Sequence, residues 1–392
     1  MTAHLTLRGL CWDHPRCTAP MAAAAREWHR RTGTALTWDA RPLAAFNDQP
    51  IADAVAGYDL VFVDHPAIAE AAGTGCLAPL DTLLPGGDLD ALAADSIAGS
   101  HGTYAATGHQ WAVAVDAACQ VAVLDPASGE SPPSTWAEAL DLAKRAPVAV
   151  PLYPSDAIIA LVSIAVGLAR AATATTATRA ATAAGPAGAG GDPGDPAGLF
   201  TEEAAALLTE LVGRADPRSF DLNPPGLLEL MARGASPPVY APLLFGYSDY
   251  QRPTATGRRL RFHDAPTPDG RPGGTVLGGA GLAVPAASAH PEAAAAFAGW
   301  VAGAPAQREI VCVHGGQPAS RATWADPSAD ELTGGFLSGT VASMTAAYVR
   351  PRTTWWPRFQ EAAGERLVPL LRTGGSAAAI HRTLIRTLEE YS

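Results

Sequence analysis

Residues 58–66, Tyr58-Asp-Leu-Val-Phe-Val-Asp-His-Pro66, decide the fold. The run Asp59–Val63 reads as a strand, and its neighbours say what kind of sheet it joins. Toward the amino terminus lies a short helix around Ile51–Ala56, then a strand over Ala35–Ala40 with Leu36 and Trp38 on one face. Before that, a helix over Ala19–Arg31 has Thr18 as cap, Pro20 in its first turn and Gly33 as its stop. Residues 5–10 alternate apolar and polar as a first strand. Strand, helix, strand, helix, strand at this spacing predicts a parallel, doubly wound sheet.

Toward the carboxyl terminus the pattern changes. Trp111–Leu124 reads as one or two strands, Ser134–Arg145 as a capped amphipathic helix and Val148–Pro151 as a short strand. Ala157–Arg170 reads as a buried helix, and residues 171–198, Ala/Thr-rich then Gly/Pro-rich, as a flexible surface insertion. Helices follow at Thr201–Arg214 and Gly226–Arg233, then an aromatic strand and loop over Val239–Tyr250. Thr275–Pro285 is a Gly-rich strand and Pro291–Gly303 a helix. Ser376–Tyr391 keeps Ile380, Leu384, Ile385 and Leu388 on one helical face.

Composition narrows the function. A chain of 392 residues, 48% hydrophobic and 17% charged, holds a real core and two or three domains. Net charge of −11 argues against binding a nucleic-acid backbone. The single lysine, Lys144, lies on an exposed helix, which removes Schiff-base and phosphate-loop chemistry. Five cysteines without a C-x-x-C pair fit neither a disulfide scaffold nor a zinc ribbon. No metal site and no cofactor are expected. The first ten residues lack the features of a signal peptide, and the apolar run Ala157–Ala169 is too short for a bilayer. On these grounds the chain is expected to be cytoplasmic, with no membrane span.

Four segments, in order, resemble one family. They are Tyr58–Asp64 with Gly75-Cys-Leu-Ala-Pro-Leu-Asp81, Pro133-Ser-Thr-Trp-Ala-Glu138, Gly278-Gly-Ala-Gly-Leu-Ala-Val-Pro285 with His290-Pro-Glu-Ala-Ala294, and Gly316-Gln-Pro-Ala-Ser-Arg321. The set resembles the solute-binding proteins of ABC importers. The resemblance implies a two-lobed periplasmic-binding α/β fold of type II. Each lobe would be a mainly parallel sheet flanked by helices, with a ligand in the cleft between them. Lobe one would span 1–112 and 272–318, with 113–118 as hinge strand. Lobe two would span 119–268, and 319–392 would form carboxyl-terminal helices mostly on lobe two. Trp111–Asp116 departs from relatives by having Ala114 where proline is common. The implied partners are a small polar metabolite, sugar or carboxylate-like, and an ABC membrane subunit if the protein is exported.

One pattern occurs twice: Trp12-Asp13-His14-Pro15 after the first strand and Val63-Asp64-His65-Pro66 after the third. Each proline favours an extended histidine before it. Adjacent first and third strands would set both segments at one sheet edge, where such folds bind ligands. Three readings stay open. Asp13 and Asp64 cap helices while the histidines bond nearby backbone; or the four residues hydrogen-bond a polar solute; or they form a metal site or an acid–base pair, with His14 and His65 as general acid and base, oriented by Asp13 and Asp64, in a cofactor-free lyase, dehydratase or hydrolase, although no metal-ligand spacing supports the metal. Arg16 can bind a carboxylate or phosphate bidentately. Asp116 faces the cleft or caps a turn. Tyr247 and Tyr250, with Tyr240 and Phe245, stack on a ligand or pack a core. Trp12 and Gly279 complete the candidate ligand-binding set.

Overall fold

The computed structural model of the chain describes residues 5–180 and 196–392. Its strands are β1 (Thr6–Trp12), β2 (Ala35–Arg41), β3 (Leu60–Val63), β4 (Leu77–Ala78), β5 (Ala105–Ala106), β6 (His109–Gln110), β7 (Ala112–Leu124), β8 (Tyr240–Phe245), β9 (Arg261–His263) and β10 (Leu277–Pro285). The chain divides into two units. Unit 1 holds the residues up to Ala118, Gly278–Leu337 and Arg352–Pro357; unit 2 holds Cys119–Leu277, Ser338–Pro351 and the rest from Arg358. Residues 319–337, expected with the carboxyl-terminal helices, thus belong to unit 1.

In unit 1 the sheet order is β2-β1-β3-β10-β7. β1 lies parallel to both β2 and β3, while β10 runs antiparallel to β3 and β4. The first and third strands are therefore neighbours. Leu7, Leu60, Phe62 and Leu282 are buried from the sheet, and Met21, Ala24 and Phe297 from the helices laid on it. Gly9 is needed there. The Trp38 ring crosses it from the paired strand, and a Cβ would sit 2.4 Å from that ring.

The first helix, α1 (Pro15–Thr32), begins four residues before the expected Ala19. Pro15 supplies a helical φ at its first position, and His14, in extended conformation, accepts the Arg16 amide on Nδ1 at 3.1 Å. His14, rather than Thr18, is the cap. Gly33 ends the helix at φ 76°.

In unit 2 the expected mainly parallel sheet is instead built on antiparallel ladders of β7 with β8 and β9. Among the described residues, Val148–Pro151 is no strand; Val148 makes single parallel bridges to Ala215 and Tyr240. The helix Trp136–Ala143 carries a full capping box between Thr135 and Glu138. The helix Pro154–Ala180 runs through residues 171–180, which were expected to be insertion; residues 181–195 lie outside the described residues. Its stretch Pro154–Thr173 is long and apolar enough to cross a membrane, contrary to the estimate from Ala157–Ala169. Two-thirds of its apolar window is buried inside the protein, with Ala157, Ile158, Ala160 and Leu161 inaccessible, as in a core helix. The helix Glu202–Val212 packs against it, and Ala377–Tyr391 packs in turn against Glu202–Val212.

Candidate functional site

The candidate site is the carboxyl edge of the parallel strands of unit 1. β1, β2 and β3 end at Trp12, Arg41 and Val63, so Asp13 and Asp64 leave adjacent strands at the same edge. The Asp13 amide donates to the Arg41 carbonyl at 2.7 Å, fixing the β1 exit against β2. Asp13 is exposed, and the Asp64 side chain retains 21% of its exposure. Neither carboxylate caps the helix after it. Asp64 precedes a short 3-10 turn, His65–Ala67, and meets it through its backbone carbonyl, which accepts from the Ala67 amide at 3.2 Å, while its side chain makes no cap bond; His65 thus enters a helical turn where an extended residue was expected.

The histidines are held by the fold. His14 Nδ1 takes the Arg16 amide, and His65 is 1% exposed, edge-on to Tyr104 with its Nδ1 3.4 Å from Asp64 Oδ1. A general acid or base needs a nitrogen presented to substrate. Capping and burial supply structural roles instead, which leaves the acid–base reading without support.

Arg16 does bind a carboxylate bidentately, but an internal one. Its guanidinium grips Asp116 through Nε at 2.8 Å and through Nη2, with both side chains about 95% buried. Burial raises the Asp116 pKa, and Arg16 offsets only part of that rise. Arg16 is thus neither a solvated loop residue nor an available anion hook. Gly279 sits against the Asp116–Ala117 backbone at φ 124°. A Cβ there would lie 2.3 Å from the Asp116 carbonyl oxygen, so close backbone approach explains the glycine. Trp12 is 4% exposed between Phe46 and Phe62, each with ring centroids 5.3 Å away, and belongs to the core.

Tyr247 and Tyr250 belong to unit 2. Both are buried, and the Tyr250 hydroxyl donates to Glu229 at 2.7 Å. Burial, with Glu229 second, raises its pKa far above the usual phenol value. Tyr240 is fully buried. In the pair Trp355–Trp356, Trp356 is core and Trp355 half-buried. Among the described residues no three His, Cys, Asp or Glu side chains converge as metal ligands. A groove of about 530 Å³ between α1 and β2, lined by Ala25, His29, Leu36 and Trp38 among others, contains none of the expected site residues. It opens beside the opposite face of β2 from Arg41.

Residues 13–308 match the family of bacterial extracellular solute-binding proteins. The chain belongs to that family. No curated protein sequence matches this solute-binding protein. Among solved structures it is similar to an ABC transporter solute-binding protein from Agrobacterium radiobacter K84 in complex with ribitol. That pair shares 18% identity and a TM-score of 0.73, covering 99% of this chain and 98% of the other. Maltose-bound MalE3 of T. maritima aligns at 13% identity and a TM-score of 0.76, covering 98% and 99%. A Thermotoga lettingae solute-binding protein bound to alpha-D-tagatose aligns at 16% and 0.75, covering 98% and 100%. These likenesses establish the periplasmic-binding-protein type of α/β fold, as the ordered segments implied.

One residue escaped the sequence reading. Arg41, at the end of β2, is 9% exposed beside Asp13 and carries no site motif. Its only signal is a charge at a strand end followed by proline.

Proposed function

We propose that this protein binds a small polyhydroxylated solute, a sugar or polyol, and serves as the solute receptor of an ABC importer. Family membership over residues 13–308 is the observation that carries the reading. The geometry agrees with it. Asp13 and Asp64 follow adjacent parallel strands at the same carboxyl edge, and carboxylates are strong acceptors for sugar hydroxyls. The relatives above were solved with ribitol, maltose and tagatose, which share vicinal hydroxyls as their recognisable chemistry.

The family description also favours capture of the solute outside the membrane over the cytoplasmic placement drawn from the first residues. Fractionation of the native cell separates these two placements. The test of function is a thermal-shift panel of polyols, ketohexoses and malto-oligosaccharides, with each stabilising compound recovered for mass spectrometry. The reading expects a hit that returns unchanged after hours with the protein. A panel without any stabilising sugar or polyol overturns it, as does a hit that is chemically altered.

A further inference from the structure

We infer that the solute bound at this edge carries an anionic group, a carboxylate on a polyol or sugar, and that Arg41 is its anchor. The inference rests on the polyol reading above and narrows it.

Among the described residues Arg41 is one of four arginines that are at least nine-tenths buried, with Arg16, Arg252 and Arg350. The other three have an acceptor in view: Asp116 for Arg16, Asp249 at 3.7 Å for Arg252, and Gln360 at 3.3 Å for Arg350. Arg41 has none. Its Nε and Nη1 are both buried, and neither makes a hydrogen bond. Guanidinium does not lose its proton in a protein, so this is a charge largely withdrawn from water with two of its three nitrogens unsatisfied.

The nearby acids do not answer it. Asp39 lies two residues back on the same face of β2, but its Oδ2 already accepts from Arg8 at 2.7 and 3.1 Å and from the Tyr58 hydroxyl at 3.0 Å. Asp13 touches Arg41 only through the backbone, and its exposed carboxylate makes no ion pair with it. What the guanidinium has is an aromatic neighbour, the Phe46 ring, 5.5 Å from its central carbon. Burial lowers the Arg41 pKa, the mark of a cation short of compensation.

A planar carboxylate matches a guanidinium in shape and charge, and the Phe46 face keeps water from competing for it. The same edge presents Asp13 and Asp64 for hydroxyls. An acid-bearing polyol, such as an aldonate or uronate, therefore has a partner for each of its parts. A neutral polyol leaves Arg41 unsatisfied.

The test is calorimetric titration of the full-length protein with matched pairs: gluconate against sorbitol, and galacturonate against galactose. A charge-assisted hydrogen bond is worth about 10- to 100-fold in affinity, so the acid of at least one pair should bind tighter by that factor. Arg41→Gln should erase the preference while changing affinity for the neutral member less than about threefold, and Arg41→Lys should restore part of it. The wild-type comparison needs no variant and stands even if Arg41→Gln fails to fold. Equal binding of acid and neutral forms overturns the anionic inference and leaves the polyol reading intact. Binding of neither form of any pair, together with a blank sugar and polyol panel, overturns both.

Discussion

Breaking the Arg16–Asp116 pair from one side should be far worse than removing it whole. The two residues are 100 apart in sequence and about 95% buried, joined by Nε at 2.8 Å and a second bond through Nη2. Asp116→Ala would leave the guanidinium buried without its carboxylate, a loss of about 3–5 kcal/mol. For a unit of this size that corresponds to a fall of about 6–20 °C in Tm. Burial outweighs the attraction of Arg16 in setting the Asp116 pKa, so desolvation is incompletely repaid. The double variant Arg16→Met/Asp116→Leu should therefore lie between about 0 and 4 kcal/mol more stable than wild type. The pH dependence follows with its sign. Folding raises the Asp116 pKa, so this residue's contribution is greatest below its unfolded value and falls as pH rises through the folded one. Urea denaturation of wild type, both single variants and the double variant gives the cycle directly. Single costs under ~1 kcal/mol that add in the double variant would show the pair to be solvated and refute the reasoning.

Other expectations follow from the same contacts. Gly279→Ala should cost about 2–4 kcal/mol by urea denaturation, because it combines a φ of 124° with a Cβ 2.3 Å from the Asp116 carbonyl oxygen; a neutral result would contradict the close approach. Thr135→Ala should cost about 1 kcal/mol through the lost capping box and leave solute affinity unchanged in calorimetry. His101, pushed down to about 4 by burial, stays neutral in the native state while the unfolded chain gains a proton near 6.5. Its stabilising effect is full above the unfolded value and is lost as pH falls toward 4, by about 3 kcal/mol in total. His101→Gln should flatten that acid limb in a denaturation series between pH 7 and 4.

What could be read from the chain and what could not divide along physical lines. The strands at residues 6–12, 35–41 and 60–63 were legible because each is short, patterned and bounded by turn residues such as Gly33. The capped helix expected over Ser134–Arg145 was legible for the same reason, since its cap, Thr135 with Glu138, joins residues three apart. The start of α1 was not, since histidine is an uncommon cap and Thr18 the commoner one. Residues 171–180 misled because their threonines read as insertion, although the alanines among them extend the helix. The antiparallel ladders of β8 and β9 join residues more than a hundred positions apart, which no local pattern reports. The site divides likewise. The shared edge of Asp13 and Asp64 followed from strand adjacency, whereas the Arg16–Asp116 grip, the burial of Trp12 and the lone cation at Arg41 are tertiary facts.

The carboxyl edge of β1–β3 is the proposed place for the solute. The most direct measurement is calorimetric titration of the best stabilising sugar or polyol into wild type and the Asp13→Asn/Asp64→Asn double variant. Saturable binding at one site that weakens at least about tenfold in the variant, with its Tm within ~2 °C of wild type, is the predicted result. Unchanged affinity in a folded variant would place the solute elsewhere and contradict the account.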